Sequence, residues 1–190
     1  MPPADLPQYL VRSFTTANQP QFSTDESVFY GPYTRLLYYL FGLDGDFEIQ
    51  PQFHVPHTAR DSIDVVATFT IEYNYHPVMF IKIKPPGTFD NDSKRKEADD
   101  QMRDRFLSLR RSLITPRMPA VSAFGTHLAF YEYEVATNAV APPAIPADPF
   151  YLTDTAPAER WNYDVLDAAG FVRLCQVVED VKQMCQAVNH

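Results

Sequence analysis

The chain has 190 residues, 45% of them apolar and 14% aromatic, with 24 acidic and 16 basic side chains and a formal charge of −8. That size predicts one domain around a single core, and the apolar content excludes a disordered chain. The acidic balance excludes steering to nucleic acid by the overall field, so a polyanionic partner would need a local basic patch.

Residues 1–23 carry scattered Pro and Gln and predict an extended N-terminal arm, followed by one domain over residues 24–190. The opening MPPADLPQYLVRSF lacks the basic start and apolar run of a secretion signal, and no stretch approaches the ~18 apolar residues of a membrane span. The expected setting is therefore intracellular, cytoplasmic or nuclear, without a membrane partner. Ser23-Thr24-Asp25-Glu26 reads as a helix start, and Tyr30, Tyr33, Leu36, Leu37, Leu40 and Phe41 follow at helical spacing until Gly42. If Pro32 breaks the entry, the main helix begins there. Phe47 to Val55 alternates as a strand that Pro51 pushes to a sheet edge.

Residues 62–86, SIDVVATFTIEYNYHPVMFIKIKPP, hold two apolar β-branched and aromatic runs around Asn74-Tyr75-His76-Pro77, the pattern of a β-hairpin. Alternation puts Val65, Ala67, Phe69 and Ile71 on one face of the first strand and Asp64, Val66, Thr68 and Thr70 on the other. On the second strand Phe80, Lys82 and Lys84 share a face. With apolar faces paired, Lys84 falls opposite Val66 and one diagonal step from Asp64, so a carboxylate meets two ammonium groups at one end of an apolar sheet.

After a short loop, SKRKEADDQMRDRFLSLRRSL predicts the longest polar helix, burying a stripe of Ala98, Met102, Phe106, Leu109 and Leu113. Lys94, Arg95 and Lys96 crowd its first turn against the helix dipole, and a bound anion would offset that cost. Val121 to Phe124 and Leu128 to Val135 read as strands broken at Gly125, and Asn138 to Pro157 as a Pro/Ala-rich connection. The last element, about Asp167 to Val188, has a wide apolar helical face that closes the core or serves a homodimer. Cys175 and Cys185, ten residues apart on it, are expected to be reduced, buried thiols. The order of elements predicts an α/β domain, a single mixed sheet of four to five strands with helices on both faces.

Asp64 on one strand and Lys82-Ile83-Lys84 on the next resemble the PD-(D/E)XK nuclease-like superfamily, whose core pairs an acid with an acid-x-lysine. IKIKPP, DSKRKEADDQMRDRF and SAFGTHLAFYEYE together resemble a lineage-specific family of mushroom-forming fungi with the same nuclease-like fold. The resemblance implies a restriction-endonuclease-like core and a hydrolase using Mg²⁺ on phosphodiesters. It implies Asp64 as catalytic acid and metal ligand, Glu26 as an auxiliary metal ligand, and Lys84 as the catalytic lysine. Lys82 takes the place of the second acid, and a charged lysine offers no lone pair to a metal. Lys84, Lys94, Arg95, Lys96 and Gln101 are the candidate phosphate-binding residues. The alternative is a non-catalytic module on the same fold that binds an anion, a nucleic acid or a protein through the cationic pocket.

Overall fold

The structure, a computed structural model, describes residues 5–54, 66–145 and 156–188. The first element is a helix, α1 (Gln8–Ala17), where an extended arm was expected. Leu10, Phe14 and Ala17 fall on one side of it and are buried in the larger core, so apolar spacing outweighs the flanking prolines. A short 3-10 turn (Ser27–Phe29) then leads into α2 (Tyr30–Phe41), which buries Pro32, Tyr33, Leu36, Leu37 and Phe41. Pro32 sits in the first turn, where its missing N–H has no intrahelical partner to lose. Gly42 ends the helix with φ +90°, a conformation that glycine adopts without Cβ strain.

β1 (Phe47–His54) pairs antiparallel with β2 (Val66–Tyr73), and β2 with β3 (His76–Lys84). Asn74 and Tyr75 both have positive φ, giving the tight turn that suits the right-handed twist of the hairpin. α3 (Asp92–Leu109) crosses over one face of the sheet and returns the chain to β4 (Arg117–Phe124), parallel to β3. β5 (His127–Glu134) follows antiparallel to β4 and pairs with two short strands, β6 (Ala139–Ala141) and β7 (Tyr163–Asp164). α4 (Ala168–Val188) closes the chain.

The described residues form an α/β architecture with one open, mixed sheet of seven strands in the path β1-β2-β3-β4-β5-β6, with β7 on β5. Four to five strands were expected. The additional pairings are short strands drawn from and after the Pro/Ala-rich connection, too brief for alternation to announce them. β1 with Pro51 does lie at an edge of the path.

The sheet separates two cores. Phe69, Ile71, Met79, Ile81, Ile83, Val121 and Ala123 face α1, α2 and α4, while Phe80, Ala120 and Ala129 face α3 through Ala98, Met102 and Phe106. Helices therefore cover both faces. Phe171, Leu174, Val177, Val178, Val181 and Cys185 of α4 are all buried in the larger core, so the apolar face that suggested a homodimer is covered within one chain. Cys175 and Cys185 are buried free thiols, with Cys185 pushed up to about 11 by burial. No helix among the described residues is long and apolar enough to cross a membrane.

Candidate functional site

The hairpin register decides where Lys82 and Lys84 stand. Thr68 pairs with Lys82 and Thr70 with Phe80, the register expected from alternation, and the pairing of β2 with β3 is described as far as Thr68 and Lys82. Asp64 lies outside the described residues. Lys82 and Lys84 share the sheet face of Phe80, which packs on Phe106 of α3 with ring centroids 4.9 Å apart. Both lysines are therefore directed at α3 and not into open solvent.

α3 meets them with Glu97, Gln101 and Arg105, spaced four residues apart and so aligned on one side of the helix. At one end of this seam Lys84, only 6% exposed, donates to Glu97 Oε1 at 2.8 Å. At the other, Arg105 Nη2 donates to Thr70 at 3.1 Å, level with Phe80. Two strand residues advance about 6.7 Å and four helical residues about 6 Å, so Lys82 falls between these ends at the level of Gln101.

Glu97 is fully engaged. Its Oε1 accepts from Lys84 and from Gln101 Nε2 at 2.9 Å, and its Oε2 from Lys94 at 3.0 Å. Burial alone would raise its carboxyl, but the hydrogen bonds and charges of Lys84 and Lys94 outweigh that and hold it below the usual carboxylate range. Lys82 is different. Burial first, then the neighbouring charges of Lys84 and Arg105, lower its ammonium to about 8, against a smaller opposing pull from Asp104 and Glu97. Among the described residues Lys82 Nζ has neither a hydrogen-bond acceptor nor an ion-pair partner. Gln101 Oε1, buried in the same seam, has no donor. Gln101 Oε1 is thus a buried acceptor without a donor, where a buried polar group ordinarily finds a partner, and Lys82 Nζ, not fully buried, keeps contact with solvent on the facing strand.

The other residues picked from the sequence separate. Glu26 accepts from Tyr30 Oη at 2.9 Å, and the Tyr30 ring packs near Phe69, on the sheet face opposite Lys82. Arg95 is buried and structural: Nε donates to the Ala156 carbonyl at 2.9 Å, Nη1 to that of Phe89 at 2.6 Å, and Nη2 pairs with Asp92. Lys96 pairs with Asp100 on its own helix. The expected phosphate cluster of Lys94, Arg95 and Lys96 is not one surface, because successive helical residues are turned by about 100° and only Lys94 comes round to Glu97. Sequence reading missed Glu97 and Arg105. Their four-residue spacing from Gln101, which it did single out, was the available signal.

Among the described residues there is no group of three or more His, Cys, Asp or Glu that could hold a metal ion, and Glu97, the carboxylate bonded to Lys84, has both oxygens engaged by cations.

A second polar cluster, absent from the sequence reading, joins β5 to β7. Asp164 accepts from Thr126 Oγ1 at 2.8 Å and from the Leu166 N–H at 2.8 Å, with His127 Nδ1 3.5 Å away. Burial would raise Asp164, and these partners more than reverse it; the same contact with Asp164 raises His127 against its burial. Each polar atom of the carboxylate has a partner, so this cluster fastens β7 to the sheet.

Comparison with family models finds none that matches the chain, and comparison with curated proteins finds no matching relative.

Proposed function

We propose that this chain is a nuclease-like protein that binds a phosphate-bearing ligand, a nucleotide or a nucleic-acid strand, at the seam between β3 and α3 without hydrolysing it. The observation that carries the reading is Lys82. It is half-buried, flanked by the charges of Lys84 and Arg105, and without a protein acceptor among the described residues, and the facing helix carries Gln101, whose buried Oε1 lacks a donor. A monoprotonated phosphate accepts from the first and donates to the second. Lys94, bonded to Glu97, and Arg105, bonded to Thr70, lie on the same helix side and add positive charge, and bringing the anion in relieves the mutual repulsion of the cations.

The superfamily resemblance supports a nuclease origin for the fold, and Lys82 in place of the second acid supports loss of the metal chemistry. Buried, unpaired Cys175 and Cys185 fit a cytoplasmic or nuclear setting, where thiols stay reduced.

Titration of the chain with inorganic phosphate, ATP and a single-stranded oligonucleotide, each over a salt series, tests the reading. Binding is expected to weaken as salt rises and to fall about tenfold in Lys82→Met. Cleavage of an oligonucleotide that needs Mg²⁺, is abolished by EDTA and is lost in Asp64→Asn would overturn it in favour of hydrolysis. Unchanged binding in Lys82→Met would remove the seam as the site.

A further inference from the structure

Helix α1, where the sequence suggested an arm, creates a second feature on the opposite side of the molecule from the seam. Its buried side is Leu10, Phe14 and Ala17, which leaves Tyr9, Arg12, Ser13 and Thr16 towards solvent. With the following 3-10 turn and α2, these residues enclose an open groove of about 650 Å³, with Phe22, Val28 and Pro32 as its apolar part and Arg12 and Arg35 beside them. That volume lies within the ~300–1,000 Å³ of small-molecule sites.

The two arginines distinguish this groove from ordinary surface. Helical positions three and four residues from Arg12 are Gln8, Tyr9, Thr15 and Thr16, and those from Arg35 are Gly31, Pro32, Tyr38 and Tyr39. Neither arginine therefore has a carboxylate within its own helical reach, in a chain with more acids than bases. Among the described residues neither makes an ion pair or a hydrogen bond, whereas Arg95, Arg103, Arg117 and Arg160 each hold an acid. Arg35 is also positioned. Its guanidinium lies 5.2 Å from the centroid of the Tyr9 ring, which is itself braced edge-on by Tyr39 at 6.4 Å. A stacked guanidinium keeps its planar fork free for an oxyanion, and holding it in place lowers the entropy lost on binding.

We propose that the groove between α1 and α2 binds a small amphipathic anion, an aromatic or aliphatic body carrying one phosphate, sulfonate or carboxylate group. The head group sits between Arg12 and Arg35, and the body lies against Phe22, Val28 and Pro32. This site is independent of the seam, and its ligand is chosen by having both parts.

Calorimetric titration with phenyl phosphate, inorganic phosphate and benzyl alcohol tests this, carried out in the Lys82→Met background, where binding at the seam is expected to be about tenfold weaker. Phenyl phosphate is expected to bind with one-to-one stoichiometry, inorganic phosphate about tenfold more weakly, and benzyl alcohol without measurable heat. Arg12→Gln with Arg35→Gln is expected to weaken phenyl phosphate about tenfold with no change in thermal midpoint, since both side chains are exposed. Thr16→Trp, which fills the groove and keeps both charges, is expected to block binding as well. Equal affinity in the double arginine variant, equal affinity in Thr16→Trp, or binding of anionic vesicles or a phosphopeptide without binding of phenyl phosphate would each overturn the proposal.

Discussion

Helix α3 carries two buried polar clusters, and they are built on different principles. Around Asp99, 1% exposed, every group is answered: Arg103 donates to both oxygens at 2.9 and 3.1 Å, and Tyr131 Oη and Arg160 Nη1 add two more bonds to Oδ1. The arginines reach on, Arg103 to the carbonyl of Pro142 at 2.8 Å and Arg160 to that of Pro143 at 2.7 Å. The cluster thereby ties α3 and β5 to Pro142 and Pro143, inside the Pro/Ala-rich connection near its start, and to Arg160 just beyond its end. Burial raises the Asp99 carboxyl, and Arg103, Tyr131 and Arg160 more than reverse that. About half a turn away and so on another side of the helix, the Glu97 seam closes around Lys84 and Lys94 but leaves Lys82 Nζ without a protein partner and Gln101 Oε1 without a donor. A closed, deeply buried network fixes architecture; a shallower one that leaves a buried acceptor unanswered holds free energy that a ligand can release.

The largest effect expected is therefore at the closed cluster. Asp99→Ala leaves two arginines and a tyrosine hydroxyl without their shared acceptor and is expected to destabilise the chain by about 3–4 kcal/mol in urea unfolding. Binding at the seam is expected to survive in the folded fraction. A loss under 1 kcal/mol, on the scale of an exposed pair, would mean that the cluster is no clamp and that the contrast with the seam is lost.

Glu97→Gln should come second. It removes the charge that answers Lys84, which is 6% exposed, but keeps the shape and one acceptor, so about 2 kcal/mol is expected. The same change makes the seam more positive and should tighten phosphate binding several-fold. Because Glu97 is held below the usual carboxylate range, its contribution is present above its unfolded pKa and is lost as pH falls through the folded value. The parent and Glu97→Gln should accordingly converge in stability on acidification below about pH 4. A variant that loses stability and phosphate binding together would place Glu97 in the binding group and not in the restraint of Lys84.

How much of this could be read in the sequence follows from the range of each signal. Alternation along β2 and β3 is local and strong, so the hairpin, the shared face of Lys82 and Lys84, and the register at Thr68 and Lys82 were legible, while the bulge between Ile71 and Glu72 was not. The helical stripe of α3 was legible for the same reason, and Ala98, Met102 and Phe106 are buried. Two kinds of feature were not. α1 is short and starts beside Pro7, which reads as an arm until the burial of Leu10 and Phe14 by tertiary packing is known. The partners of Arg95, the carbonyls of Phe89 and Ala156, are backbone groups six and sixty-one residues away, and backbone acceptors leave no trace in residue identity.

Lys82→Met bears directly on the open side of the contrast and is expected to stabilise the chain, by about 1 kcal/mol near neutral pH in phosphate-free buffer. The sign follows from its lowered pKa of about 8. Between that value and the ordinary lysine value the unfolded chain binds more protons, so the parent gains stability as pH rises there. The advantage of Lys82→Met should be full below pH 8 and shrink towards the ordinary lysine value; Cys and Tyr titration is common to both chains and cancels in the difference. If Lys82→Met is instead destabilising across that range, Lys82 has a structural partner and the seam is not open.

The smallest effect is expected at Lys96. Grouped by sequence with Lys94 and Arg95 it looks like one third of an anion site, yet its ammonium lies against Asp100, four residues on along the same helix. The Asp100 side chain is 54% exposed, and the pair runs lysine first, the less favourable order relative to the helix dipole. A pair of that kind contributes about 0.3 kcal/mol at most. Lys96→Ala should therefore shift the urea midpoint barely beyond error, and part of even that loss is returned because a cation leaves the first turns of α3. Its effect on phosphate binding separates two geometries. If the seam is set by side chains aligned every four residues, Lys94→Ala weakens phosphate several-fold and Lys96→Ala leaves it unchanged at constant ionic strength. Equal weakening by both would mean that the ligand responds to the summed charge of the helix start, and the level occupied by Lys82 and Gln101 would lose its special standing.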